Sequence, residues 1–197
     1  MKTGRLVVGV TGASGAIYAE RFLREAAKHF GEVLAIVSRH ALSVFETERG
    51  RKAQPPLTTD ALLGESLPQV RFLEEGDYFT PPASGSYRHD GMVIVPCSMG
   101  TAGRIANGVS DNLMTRAADV CLKEGRPLVL VVRETPLSLV HLRNLTRLAE
   151  AGATVLPAAP AWYNRPSSLE ELADTVVARI LQRLGVEHGI LPEWAEE

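Results

Sequence analysis

Six short apolar runs, separated mostly by segments of helical periodicity, constrain the fold more than any other feature of this chain. They are Leu6–Val10, Val33–Val37, Val70–Leu73, Met92–Val95, Leu128–Val132 and Ala153–Leu156. They are largely apolar throughout rather than alternating, the pattern of strands buried on both faces. Between them, Ala19, Phe22, Leu23, Ala26, Ala27 and Phe30 recur at helical spacing, as do Leu113, Ala117, Val120 and Cys121, and Leu142, Leu145 and Leu148. Ala41–Glu48 reads as a short helix beginning near Ser38, and Pro96 is expected to stop the fourth strand. The final helix is the clearest, with Leu169, Leu172, Ala173, Val176, Val177, Ile180, Leu181 and Leu184 on one stripe. Ser168 and Glu171 form a capping-box pattern at its start. Apolar strands alternating with amphipathic helices predict an α/β fold, a three-layer Rossmann-like or flavodoxin-like parallel sheet with helices on both faces. Residues 49–69 are polar and read as a surface segment with a short helix near Asp60. Residues 76–90 read as a loop rich in Gly, Pro and Ser.

At 197 residues the chain is expected to form one domain, residues 1–197, that buries a core without staples. The 21 basic and 23 acidic residues leave a net charge of −2, which argues against a nucleic-acid footprint. Two cysteines are not a disulfide framework; Cys97 and Cys121 are expected to be buried thiols. His29, His40, His89, His141 and His188 have no close ligand spacing, so no metal site is expected. The first apolar run has five residues before Thr11-Gly12, short of the ~7–15 of a secretory leader. No run approaches the ~18 residues of a membrane span. A cytoplasmic protein is expected.

Parallel sheets bind ligands at the carboxyl ends of their strands. After the first strand come Thr11-Gly12-Ala13-Ser14-Gly15 and the start of a helix. With Gly9, the spacing is a variant of the nucleotide fingerprint, able to bring backbone and a helix N-terminus close to a phosphate. The second strand ends in Ser38-Arg39, with no carboxylate for a ribose 2′-hydroxyl, which disfavours NAD and favours a phosphate-bearing mononucleotide. Pro96-Cys97-Ser98-Met99-Gly100-Thr101 follows the fourth strand, Arg133-Glu134 the fifth, and Pro157–Tyr163 the sixth.

These segments carry a resemblance to a known family. Thr11–Gly15, Pro81–Ser86, Pro96–Thr101, Asp111-Asn112-Leu113, Arg116–Val120, Leu122–Glu124, Arg133–Leu137, His141-Leu142, Pro157–Pro160 and Tyr163 resemble the UbiX-type flavin prenyltransferases, from about residue 5 to 194. The resemblance implies a homo-oligomer, typically a dodecamer. It implies transfer of a dimethylallyl group from dimethylallyl phosphate to N5 and C6 of reduced FMN. The product, prenylated FMN, would serve a separate UbiD-type decarboxylase, and the reaction would need no metal.

Carried over residue by residue, Gly12, Ala13, Ser14, Ser38, Ser98, Met99, Gly100, Thr101 and Arg133 match FMN-binding positions. Lys123, Tyr163 and Arg179 match positions that hold the prenyl phosphate, where cations and a hydroxyl would stabilise a leaving phosphate. Ser14, Glu48 and Glu134 match catalytic positions; ring closure at C6 leaves a proton to remove. On sequence alone, Glu48 reads rather as a solvated helix residue beside Glu46 and Arg49, and only the resemblance reverses that. Tyr78, Trp162 and Trp194 are candidates to cover the prenyl group. Residues 186–197 read as a tail at a subunit interface. Two other readings compete: an FMN-dependent cysteine decarboxylase of the same fold, and a flavin carrier without chemistry.

Overall fold

The computed structural model of the chain describes residues 4–191. Six strands, β1 (Arg5–Val10), β2 (Glu32–Val37), β3 (Val70–Leu73), β4 (Met92–Cys97), β5 (Leu128–Val132) and β6 (Thr154–Pro157), form one sheet. Its order is β3-β2-β1-β4-β5-β6 and every pairing is parallel. The helices are α1 (Ala16–His29), α2 (Arg39–Arg49), α3 (Thr59–Leu63), α4 (Met99–Ala106), α5 (Leu113–Lys123), α6 (Leu139–Glu150) and α7 (Leu169–Arg183).

The strands send alternate residues into two cores, which is why their sequences are apolar without a break. Leu6, Val8 and Val10 of β1 pack with Phe22, Leu23, Phe45, Val177 and Leu181 of α1, α2 and α7. Val7, Met92 and Ile94 face the other way, against Ile105, Leu113, Met114, Cys121 and Leu148 of α4, α5 and α6. The expected three layers are present. The strand order reverses between β1 and β4, so the two halves part there and leave a crevice above the strand ends.

Three local expectations are corrected. Pro96 does not stop β4: the strand runs on to Cys97, with its register against β5 shifted between Ile94 and Cys97. Proline has no N–H for the ladder, but its carbonyl is used elsewhere, as described below. Residues 49–69 are not merely a surface segment. Leu62 and Leu63 are fully buried beside Phe45, because the two leucines of α3 close the end of that core. Ser168 does cap α7 through the Glu171 amide, but the Glu171 carboxylate bonds Ser167 rather than completing the reciprocal box.

Candidate active site

A cleft of about 580 Å³ opens at the β1/β4 crevice, lined by Thr11, Gly12, Ser38, His40, Ser98 and Thr101 among others. Two helices start there. Ser38 caps α2 by accepting from the Ala41 amide at 3.2 Å, and Ser98 caps α4 by accepting from the Thr101 amide at 3.3 Å. Both helix N-termini therefore bring partial positive charge to one cleft. Thr11 fixes its floor: its hydroxyl donates to the Pro96 carbonyl at 2.7 Å and accepts from the Ser98 amide at 2.8 Å. Thr11 is 3% exposed, so this bridge between β1 and β4 is shielded from water.

The glycines of the first loop have separate reasons. A Cβ on Gly12 would lie 2.5 Å from that of His40, so its absence lets α2 approach the loop. Gly15 has φ 111° at the N-cap of α1, a conformation that favours glycine. Gly9 lies inside β1 and makes room for Met114.

The N-terminus of α1 is capped from a distance. The Glu48 carboxylate, at the end of α2, accepts from the Gly15 amide at 3.0 Å and from the Ala16 amide at 2.8 Å. Burial pushes its pKa up, but the Ser14 hydroxyl, the Ala16 and Gly15 amides and the Arg133 charge outweigh this and hold it below the ordinary carboxylate value. Arg133, just past β5, donates from Nε to the Ser14 carbonyl at 3.0 Å. Ser14, Glu48 and Arg133 thus form one cluster, although 119 residues separate Ser14 from Arg133. Glu134 is exposed beside it, its carboxylate accepting from the Thr135 amide.

The remaining expected residues divide. Gly12, Ser38, Ser98 and Thr101 line the cleft. Ala13 and Met99 are buried at 7% exposure each, and neither lines the cleft. Gly100 is exposed in the first turn of α4, where a Cβ would meet nothing. Tyr163 and Trp162 are exposed in the loop after β6. Arg179 is exposed on α7 along the edge strand β6, bonded to Gln182. Lys123 departs from the expected gathering of cations. It ends α5 at the amino end of the sheet, bonded to Glu124 and close to Gly85, the opposite end from Arg133. Trp194 lies outside the described residues.

Thr11, Arg39 and Asn112 stood in segments the sequence singled out but were given no site role, and His40, Glu75, Arg104 and Met114 were not singled out at all. Their neighbours Gly12, Ser38 and Thr101 were the available signal. Hydroxyls, two helix N-termini and the cations Arg39 and Arg104 suit a phosphate, and the cleft volume lies within the ~300–1,000 Å³ of small-ligand sites. The residues present fit a flavin mononucleotide. Among the described residues there is no cluster of His, Cys, Asp and Glu that could hold a metal ion.

Residues 1–184 match the Flavoprotein family model. The flavin prenyltransferase UbiX of Pseudomonas aeruginosa is 45% identical over 98% of this chain and 95% of its own length. This chain belongs to the UbiX flavin prenyltransferase family. Among solved members, AnUbiX (PadA1), in complex with FMN and dimethylallyl pyrophosphate, has a TM-score of 0.88 at 38% identity, with all of both chains covered. A dodecameric FMN-dependent UbiX-like decarboxylase from Escherichia coli O157:H7 has a TM-score of 0.85 at 37% identity, covering 96% of this chain and 98% of its own. The peptidyl-cysteine decarboxylase EpiD, at 18% identity and a TM-score of 0.59 over 92% of this chain and 98% of its own, shares the fold alone. The competing reading as a cysteine decarboxylase therefore has no support beyond fold.

Proposed function

We propose that this UbiX family member transfers a dimethylallyl group from a dimethylallyl phosphate donor to reduced FMN. The observation that carries the reading is a cleft with two serine-capped helix N-termini, next in the chain to a first loop whose Ser14 carbonyl receives Arg133 and whose Gly15 amide is held by Glu48. Reduced FMN supplies the electron-rich N5 and C6 atoms that accept the prenyl group. Ser38, Ser98, Thr101 and the backbone of Met99 and Gly100 hold its phosphate. Arg133 supplies fixed positive charge beside the reduced ring. Tyr163 and Arg179 hold the donor phosphate and stabilise its growing charge as the C–O bond breaks.

Glu48 and Glu134 serve the proton lost at C6. Glu48 is held ionised by its amide donors, so it suits the role of proton acceptor through Ser14 rather than that of an acid.

Lys123 acts in the site of another copy of the chain, since it lies at the far end of the sheet from Arg133. The assembly is a dodecamer, with residues 186–197 at a subunit contact; residues 192–197 of that tail lie outside the described residues. Each chain is a single flavoprotein domain. No helix among the described residues is long and apolar enough to cross a membrane, and the enzyme is assigned to the cytoplasm. Its product is passed to a UbiD-type decarboxylase.

The test is anaerobic. The protein is mixed with reduced FMN and dimethylallyl phosphate, or the diphosphate, and the flavin is weighed. A mass gain of one prenyl unit less a proton supports the reading. No adduct with either donor overturns it, and flavin binding without an adduct would favour a carrier.

A further inference from the structure

Among the described residues, Glu20 is the most deeply buried ionic group outside the site, at 2% exposure, and its partners lead to Glu48. Helix α2 is fastened to the core by Ala41 and Phe45, while residues 46–48 after them are exposed. The next inward-facing residue is Arg49, whose Nε donates to the Glu20 carboxylate at 2.6 Å. Arg49 also lies 3.6 Å from Glu170 at the start of α7. Arg51, two residues on, approaches Glu20 at 3.4 Å and donates to the Leu62 carbonyl. Arg24 donates to Glu20 at 2.7 Å, to the Leu63 carbonyl at 2.8 Å and to Glu65.

Glu48 and Arg49 are consecutive, and both reach α1. Glu48 binds the amide of Ala16, and Arg49 binds the side chain of Glu20, one helical turn further along. A carboxylate gathering three guanidinium groups anchors the last turn of α2 where no apolar side chain does so. Without its charge, Arg24, Arg49 and Arg51 repel one another. The turn carrying Glu48 then keeps only Glu48's own amide bonds on the α1 side.

We infer that Glu20, through Arg49, is a positioning residue that holds Glu48 against the first turn of α1. It touches neither cofactor nor substrate, and it sets the geometry of the carboxylate assigned to the C6 proton. The catalytic half of this inference rests on the function proposed above.

Two measurements test it, one of which needs no turnover. By hydrogen exchange with mass spectrometry, Glu20→Gln is expected to release the two amides that Glu48 holds, in the peptide spanning residues 12–19. Exchange in β1 and β5 should stay as in the parent. Arg49→Gln should do the same and Arg49→Lys only in part, which covers the case in which Glu20→Gln fails to fold. In turnover, Glu20→Gln is expected to slow prenylation about tenfold, the scale of one lost charged hydrogen bond, with FMN affinity by fluorescence quenching within about twofold. The Glu20→Gln/Glu48→Gln double variant should be no slower than Glu48→Gln alone. Unchanged protection of residues 12–19, or rate losses that multiply in the double variant, would overturn the inference. A parent protein that gives no adduct while the exchange result holds would overturn the proposed function and leave the positioning intact.

Discussion

Glu48 is a surface residue by its local sequence, yet its carboxylate spans two backbone amides and lies within reach of Arg133. Those partners stabilise the ionised form. A carboxylate whose pKa is lowered by folding adds stability that is complete above the ordinary value of 4.5 and disappears as pH falls through the lower folded value. Glu20 shares the direction: burial raises its pKa, but hydrogen bonds and charges from Arg49 and Arg24 lower it further. Thermal melts of the full chain should therefore weaken as pH drops below about 4.5, and Glu20→Gln should flatten that dependence. In turnover, Glu48→Gln is expected to slow ring closure more than N5 alkylation, as read from anaerobic absorbance spectra; unchanged full turnover would refute the assignment. Cys97 and Cys121 are the opposite case. Burial pushes both thiols up to about 12, so native protein should resist iodoacetamide and react only when unfolded. The two cysteines were legible as buried from their apolar settings. The role of Glu48 came from the family resemblance alone, and its amide partners were not legible, because they lie more than thirty residues away.

At the scale of elements, the junction of β4 and α4 does the most to shape the cleft. Pro96 was read as a strand breaker on local grounds. In the fold its carbonyl instead receives both the amide and the hydroxyl of Thr11, and the chain passes into the Ser98 cap. Thr11→Val would leave the Ser98 amide without its partner in a buried place, and the Pro96 carbonyl with the Thr11 amide but not the hydroxyl. It is expected to cost about 1–3 kcal/mol, measured by urea denaturation, and to weaken FMN binding. Gly12→Ala tests the approach of α2 directly. With its Cβ 2.5 Å from that of His40, it should destabilise the chain by about 1–3 kcal/mol and lower FMN affinity by displacing Ser38; a thermal melt equal to the parent would contradict this. Strand and helix positions followed from hydrophobic periodicity because each element buries a face. The extension of β4 and the burial of α3 did not follow, because both depend on what another element presents.

The whole molecule leaves apolar side chains in water. Leu139, Val140 and Leu142 of α6 are 61%, 65% and 48% exposed, and Trp162 and Tyr163 are 69% and 79% exposed. Apolar groups on this scale suit contacts between copies. Together with the position of Lys123 at the far end of the sheet, they fit an enzyme whose site is completed by another chain. Val140→Asp should shift the protein to smaller species in size-exclusion chromatography and lower turnover with it. Lys123→Ala and Arg179→Ala variants, each inactive alone, should recover activity when co-assembled, because some sites then draw both residues from unmutated positions. Failure to recover would place Lys123 outside the site.

The sequence by itself determined the layers. Continuous apolar strands have to be covered on both faces, and helical stripes supply the cover, so the parallel sheet and its ligand-binding end followed from hydrophobic burial alone. Motif by motif, it also carried the family. Tertiary structure decided which of those residues meet: it joined Ser14, Glu48 and Arg133, sent Lys123 to the opposite end, and gave Glu20 its three arginines. Burial is encoded in local periodicity. The pairing of polar groups is fixed only when packed elements bring distant donors and acceptors within about 3 Å.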